Sequence, residues 1–186
     1  MPFRGAKGYS HLTTARVTRE TFTLGIHQRA TGHPDKALAH YAESEAILTS
    51  LVADNPSVSN YQDKLSAVWH NTANIFTASG RYDQALAGYE RARAVQAKLV
   101  AAHSDLPEHR HTLGITDTEM GACLFDAGRL DAALVAAEPG RGVLEALVAE
   151  HPRVPEYRRN LANSHNTIGV VHLSRGRLDQ ALLALE

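Results

Sequence analysis

Four phrases decide the architecture: GHPDKAL at Gly32–Leu38, GRYDQAL at Gly80–Leu86, GRLDAAL at Gly128–Leu134 and GRLDQAL at Gly176–Leu182. Successive glycines stand 48 residues apart. A fixed period of this size marks a stack of identical supersecondary units. Glycine just past a helix accepts the left-handed conformation without Cβ strain. Three residues on stands an aspartate each time, Asp35, Asp83, Asp131 and Asp179. An acid there sits in the first turn of the following helix and complements its dipole. Pro34 suits a first turn too. Each glycine is therefore a corner between a helix before it (A) and a helix after it (B).

Outward from the corners, apolar residues recur at helical spacing. Leu38, Tyr41, Ile47, Leu48, Leu51 and Val52 form one stripe, as a helix buried on one side requires. The expected helices are about 12–31 and 34–53, 61–79 and 82–102, 109–127 and a B helix after Gly128, then 156–175. Prolines mark the B-to-A junctions at Pro56, Pro107, Pro152 and Pro155. Pro139 does not fit this rule. A mid-helix proline loses a hydrogen bond and clashes with the carbonyl four residues back, so a kink or break is expected over Val135–Gly142. Such a break would either reshape a binding surface or mark a drifted repeat.

The fold class is therefore all-α, a solenoid of antiparallel helix hairpins. Its units are about 12–59, 60–107, 108–155 and a shortened 156–186. Residues 1–11 do not match the segment one period later and are expected to be poorly ordered. From Met1 to Thr31 there are five basic residues and one acid, Glu20, a balance also compatible with a transit peptide or a phosphate-binding arm. The fourth B helix stops early, with Leu182, Leu183 and Leu185 at its end. Repeat arrays need a polar terminal cap. The expectation is a piece of a longer array, or an apolar end that joins another copy.

Composition narrows the partner. Of 186 residues, 44% are hydrophobic and 21% charged, with a formal net charge of −1. No global field draws such a chain to nucleic acid or acidic lipid, and no apolar run is long enough to span a membrane. Cys123 is the lone cysteine, which excludes an internal disulfide and suits a reducing, cytoplasmic setting. Its repeat counterparts are Ile75 and Val171, so it reads as a small core residue. Among eleven histidines, His103, His109 and His111 lie close in sequence, but a spacing of two turns side chains apart on a helix. No metal site or cofactor is expected. Asp117 and His165 hold equivalent positions in successive units, where a structural hydrogen bond between them is expected. No nucleotide-binding or hydrolase motif is present, and the chain is not expected to be an enzyme.

The repeat resembles the tetratricopeptide family, in a version with a long, 48-residue unit. The family's Leu-Gly pair in helix A is matched by Leu24-Gly25, Met120-Gly121 and Ile168-Gly169, with Thr72-Ala73 in the second unit. Its tryptophan position is filled once, by Trp69. Its small residue in helix B is Ala37, Ala85, Ala133 and Ala181, and the aromatic four later is Tyr41 and Tyr89, then Ala137 and Leu185. The stretch LVAEHPRVPEYRRNLANSHNTIG, Leu147–Gly169, looks like arrays attached to bacterial Ser/Thr kinases and other signalling proteins. The resemblance implies a protein- or peptide-binding module whose inner face is lined by helix A. Carried over position by position, that face includes Arg19, Phe22, Arg29, His70, Asn74, Thr118, Phe125, Asn163 and Asn166. Asparagine pairs with peptide backbone as donor and acceptor, arginine forks onto carboxylates, and Phe22 and Phe125 would anchor apolar side chains. The alternative is self-association through Leu182, Leu183 and Leu185.

Overall fold

In the computed structural model, residues 11–185 are described, with side chains from 16 to 184. The described residues form eight helices: α1 (His11–Ala30), α2 (Pro34–Asp54), α3 (Ser59–Ala78), α4 (Tyr82–Ala102), α5 (Pro107–Asp126), α6 (Leu130–Glu150), α7 (Pro155–Ser174) and α8 (Leu178–Leu185). Odd-numbered helices are the A helices and even-numbered ones the B helices. Each helix packs on its chain neighbours, and the A helices also touch in sequence, α1 on α3, α3 on α5 and α5 on α7. The basic start, up to residue 10, lies outside the described residues, and His11 already opens α1.

The corners form as the glycines dictate. Gly32, Gly80, Gly128 and Gly176 have φ between 68° and 77°, and a Cβ at any of them would meet nothing within 4 Å. Backbone conformation, not crowding, requires glycine here. At the second corner Gly80 N–H donates to Thr77 O (3.0 Å) and Arg81 N–H to Phe76 O (2.8 Å). That pair of bonds is the Schellman closure, which satisfies carbonyls the helix end would orphan. The B-to-A junctions repeat as well. Asn55, His103 and His151 each donate their N–H back to Leu51, Leu99 and Leu147 O at 2.9 Å. Pro107 and Pro155 are the first residues of α5 and α7 rather than linker residues, since a first-turn N–H has no intrahelical acceptor to lose.

The core lies between the two helix layers. Ala37, Ala85, Ala133 and Ala181 are all essentially fully buried, as are Tyr41, Tyr89, Leu48, Leu144 and Leu147. Small residues let the A and B helices close on each other, and the large ones fill the space alongside. In the third hairpin glycines let the two helices approach closely. A Cβ on Gly140 would lie 2.6 Å from Gly114 O, and one on Gly121 would lie 2.7 Å from Ala137 Cβ.

The break expected at Pro139 does not occur: α6 runs unbroken from Leu130 to Glu150. Pro139 itself is exposed. The carbonyl it leaves without a partner belongs to Val135, whose side chain is 77% exposed, so water can take the missing donor's place. On the opposite side Ala136, Ala137, Gly140, Leu144 and Leu147 are buried. Packing along that stripe outweighs the local cost of the proline.

Candidate peptide-binding face

The expected side chains all lie on A helices, but they share neither one surface nor one role. At the middle of the row, α3 and α5 interlock. His70 Nδ1 lies 3.0 Å from Thr116 Oγ1, and His70 Nε2 lies 2.9 Å from Glu119 Oε2. Tyr89 donates its hydroxyl proton to Asn74 Oδ1 in a short hydrogen bond, with Thr77 Oγ1 3.3 Å from the same hydroxyl. Asn74 Nδ2 sits 3.5 Å from His70 Nε2. His70 and Asn74 are thus occupied by a network joining the second unit to the third. Burial alone would raise the Glu119 pKa, but hydrogen bonds from His70 and Asn74 and the charges of His70 and Arg29 outweigh it and hold the carboxyl below its ordinary value. Burial pushes the Tyr89 phenol well above its ordinary value, against the opposing hydrogen bond of Thr77. The network therefore holds an ionised acid beside an uncharged phenol at neutral pH.

Thr118 is not a surface residue. It is 5% exposed, and its hydroxyl donates to Gly114 O at 2.9 Å. A Cβ on Gly140 would come within 3.1 Å of Thr118 Oγ1. The missing side chain lets α6 close over a position that is open in the general repeat. Both phenylalanines are half-buried. Phe22 packs its ring 5.8 Å from Tyr41, and Phe125 packs against the core formed by the second and third hairpins. Neither is a free anchor.

What remains open lies at the two ends of the row. Arg19 and Arg29 are exposed on α1, and Asn163 and Asn166 are exposed on α7. Neither asparagine side chain makes a hydrogen bond among the described residues. Exposed Ile26 and Leu173, at 39% and 47%, add apolar surface beside them.

Asp117 and His165 do not meet. Asp117 is 2% exposed and accepts from Arg93 Nε at 2.5 Å, across to α4. His165 Nδ1 lies 2.7 Å from Ala184 O on α8 and donates to it. This helix A position points toward the B layer in every unit: Thr21 Oγ1 reaches Ser44 Oγ at 2.8 Å, and Trp69 Nε1 donates to Glu45 at 2.8 Å. Neighbouring A helices are not its target. Burial raises the Asp117 carboxyl pKa even though Arg93 pulls it down.

At the second junction the His103 and His109 rings lie 5.7 Å apart, but the three histidines make different polar contacts. His103 Nε2 lies 2.9 Å from Ser59 Oγ, His109 Nδ1 lies 3.9 Å from Asp63, and His111 Nε2 accepts from Asn160 at 2.8 Å. Burial lowers the His111 pKa, in keeping with a ring nitrogen that accepts. Among the described residues no three His, Cys, Asp or Glu side chains are grouped to hold a metal. Cys123 is fully buried, with its sulfur 4.0 Å from Tyr82 O. On α8, Leu178, Leu182 and Leu183 are 64%, 64% and 71% exposed; the Leu185 side chain lies outside the described residues. No described helix is long and apolar enough to cross a membrane.

No protein-family model matches the chain, and no curated protein matches it. Among solved structures, the chain is similar to BtubC (BKLC) from P. vanneervenii, with a TM-score of 0.73 at 18% identity over 92% of this chain. The chain spans about three fifths of that structure, 61% of its length. At this identity the likeness establishes the fold alone, an all-α helical repeat.

Proposed function

We propose that this chain is a protein-interaction module of the tetratricopeptide type that holds an extended peptide along its A-helix face, as part of a larger signalling or assembly protein. The observation that carries this reading is the pattern of occupied and free groups. The middle of the row is tied into an internal network, to which the charge of exposed Arg29 contributes, while Arg19 at one end and Asn163 and Asn166 at the other keep their side chains exposed. Free amides suit peptide backbone, which offers a donor and an acceptor at each residue. Arginine suits a carboxylate. A lone, buried cysteine accords with a reducing compartment such as the cytoplasm.

Selection of displayed random peptides on the protein tests it. Peptides that bind should lose at least about tenfold in affinity, about 1.4 kcal/mol, when Asn163 and Asn166 are both replaced by alanine. The melting curve should stay in place, because both side chains are exposed and neither makes a hydrogen bond among the described residues. Peptides that bind the double variant undiminished would move the site off this face. Asn74 is unsuited to the same test, since its replacement would strand the Tyr89 hydroxyl.

A second reading rests on α8, where Leu182 and Leu183 are 64% and 71% exposed. Burying such a patch against a second copy would make the chain a self-associating structural module. Mass measured by light scattering over about a hundredfold range of concentration should then rise toward a dimer, and Leu182→Asp with Leu183→Asp should return it to a monomer. A constant monomer mass would exclude this reading.

A further inference from the structure

A groove lies between the B helices α2 and α4 and over α3. It encloses about 500 Å³. Between its charged groups it is lined by Leu38, Ala42, Thr72, Ala87 and Gly88, small or apolar side chains, of which Leu38, Thr72 and Gly88 are the more deeply set. Trp69 and Phe76, seven residues apart on α3, stand at its two ends, about 10 Å from each other along the helix. Each carries a guanidinium on its ring: Arg91 lies 4.1 Å from the Trp69 centroid and Arg81 lies 4.2 Å from that of Phe76. Trp69 is the chain's only tryptophan. The groove faces roughly 150° around α3 from His70 and Asn74.

The charges do not balance. Glu45 meets Arg91 at 2.7 Å, whereas Arg81 gives its Nε–H to the neutral amide of Gln84 at 2.5 Å and has no carboxylate partner among the described residues. Its repeat counterpart Arg129 pairs with Asp83, the corner acid of the preceding unit, at 2.7 Å. The matching acid for Arg81 is Asp35, and Arg81 makes no ion pair with it; it lies over the groove instead. The opening is also specific to this junction. The Ala42 position is Glu90 and Glu138 in the next two units, and the Trp69 position is Thr21, Asp117 and His165 elsewhere.

We propose that this groove binds an extended acidic segment of a partner protein, with one carboxylate on the unpaired Arg81, a second on the N–H groups that Arg91 does not give to Glu45, and an apolar side chain between them. A stacked guanidinium is held in its plane, and its remaining N–H groups form a fork that fits a carboxylate. Extended chain advances about 3.3 Å per residue and alternates its side chains. Acids four residues apart therefore lie on one side, about 13 Å apart, with the central residue facing into the groove. This site does not depend on the A-helix face.

Trp69 supplies the readout. The probes are the peptides acetyl-Glu-Ala-Leu-Ala-Glu-amide and acetyl-Lys-Ala-Leu-Ala-Lys-amide, titrated against the full chain. The acidic peptide should change Trp69 emission saturably, half-complete below about 1 mM, and weaken as salt is added. The lysine peptide should give no saturable change. Arg81→Glu should weaken the acidic peptide at least about tenfold, and so should Ala87→Glu, which puts a carboxylate into the groove from an exposed helix position. Both variants should melt as the parent does, and the Asn163/Asn166 alanine variant should bind the acidic peptide normally. No saturation by about 1 mM, equal binding of the lysine peptide, undiminished binding by both groove variants, or an equal response to inorganic polyphosphate would each overturn the proposal.

Discussion

Gln96→Leu should stabilise the protein by about 2 kcal/mol, because each buried polar group left without a partner costs about 1–3 kcal/mol. For a chain of this length that is a rise of about 4–8 °C in melting temperature. Gln96 is 1% exposed, and among the described residues neither its Nε2 nor its Oε1 has a hydrogen-bond partner. The repeat shows what the site accommodates. One period before and one period after, the same position is Leu48 and Leu144, 1% and 0% exposed. Leucine is somewhat larger in volume than glutamine but shorter and branched, and Leu48 and Leu144 show that this core position accommodates it, so the exchange removes two unpaired polar atoms at little packing cost. Thermal unfolding of the two proteins side by side decides it. A fall in stability would mean that the amide is satisfied by something bound in the native protein, and Gln96 would then mark an internal site rather than an imperfect core position.

The features that were legible in the sequence are those a single helix or corner specifies. A positive φ admits glycine far more readily than any other residue, so the four corners could be placed to the residue. The small alanines of helix B follow from close packing that recurs in each unit, and α4 has the bounds its sequence implied, Tyr82–Ala102. What was not legible depends on which helix faces which. Spacing put Asp117 and His165 on equivalent turns, but it does not say that this turn looks across to the B layer. Thr118 looked open because the general repeat leaves its position open; Gly140, on a different helix, closes it. The break at Pro139 was argued from local cost alone, and the buried stripe of α6 outweighs that cost. The groove beside Trp69 needs three helices to be seen, and its sequence signal is faint: alanine at 42 where the other units carry glutamate.

Leu99→Ala should cost about 2–5 kcal/mol, the range for truncating a buried leucine, and lower the melting temperature by about 4–20 °C. Leu99 is 2% exposed, and its counterparts Leu51 and Leu147 are 5% and 0% exposed. The position lies in the last turn of each full-length B helix, where the carbonyl of the same residue accepts the N–H of the junction residue, His103 in this unit. One residue thus ties the helix end, the turn into α5 and the core together. The location adds a second expectation. In a repeat stack each unit is stabilised chiefly by its neighbours, and α4 packs on both α3 and α5. A cavity there weakens the link between the first two hairpins and the last two. Unfolding of the variant in urea should therefore broaden or separate into two steps, which a lower slope would reveal. The same truncation at Leu51, one unit from the start, should lower the midpoint with less change in slope. A loss under about 1 kcal/mol at Leu99 would mean that the site collapses around the smaller side chain. The stripe defined by Leu51, Leu99 and Leu147 would then not be what holds the stack together.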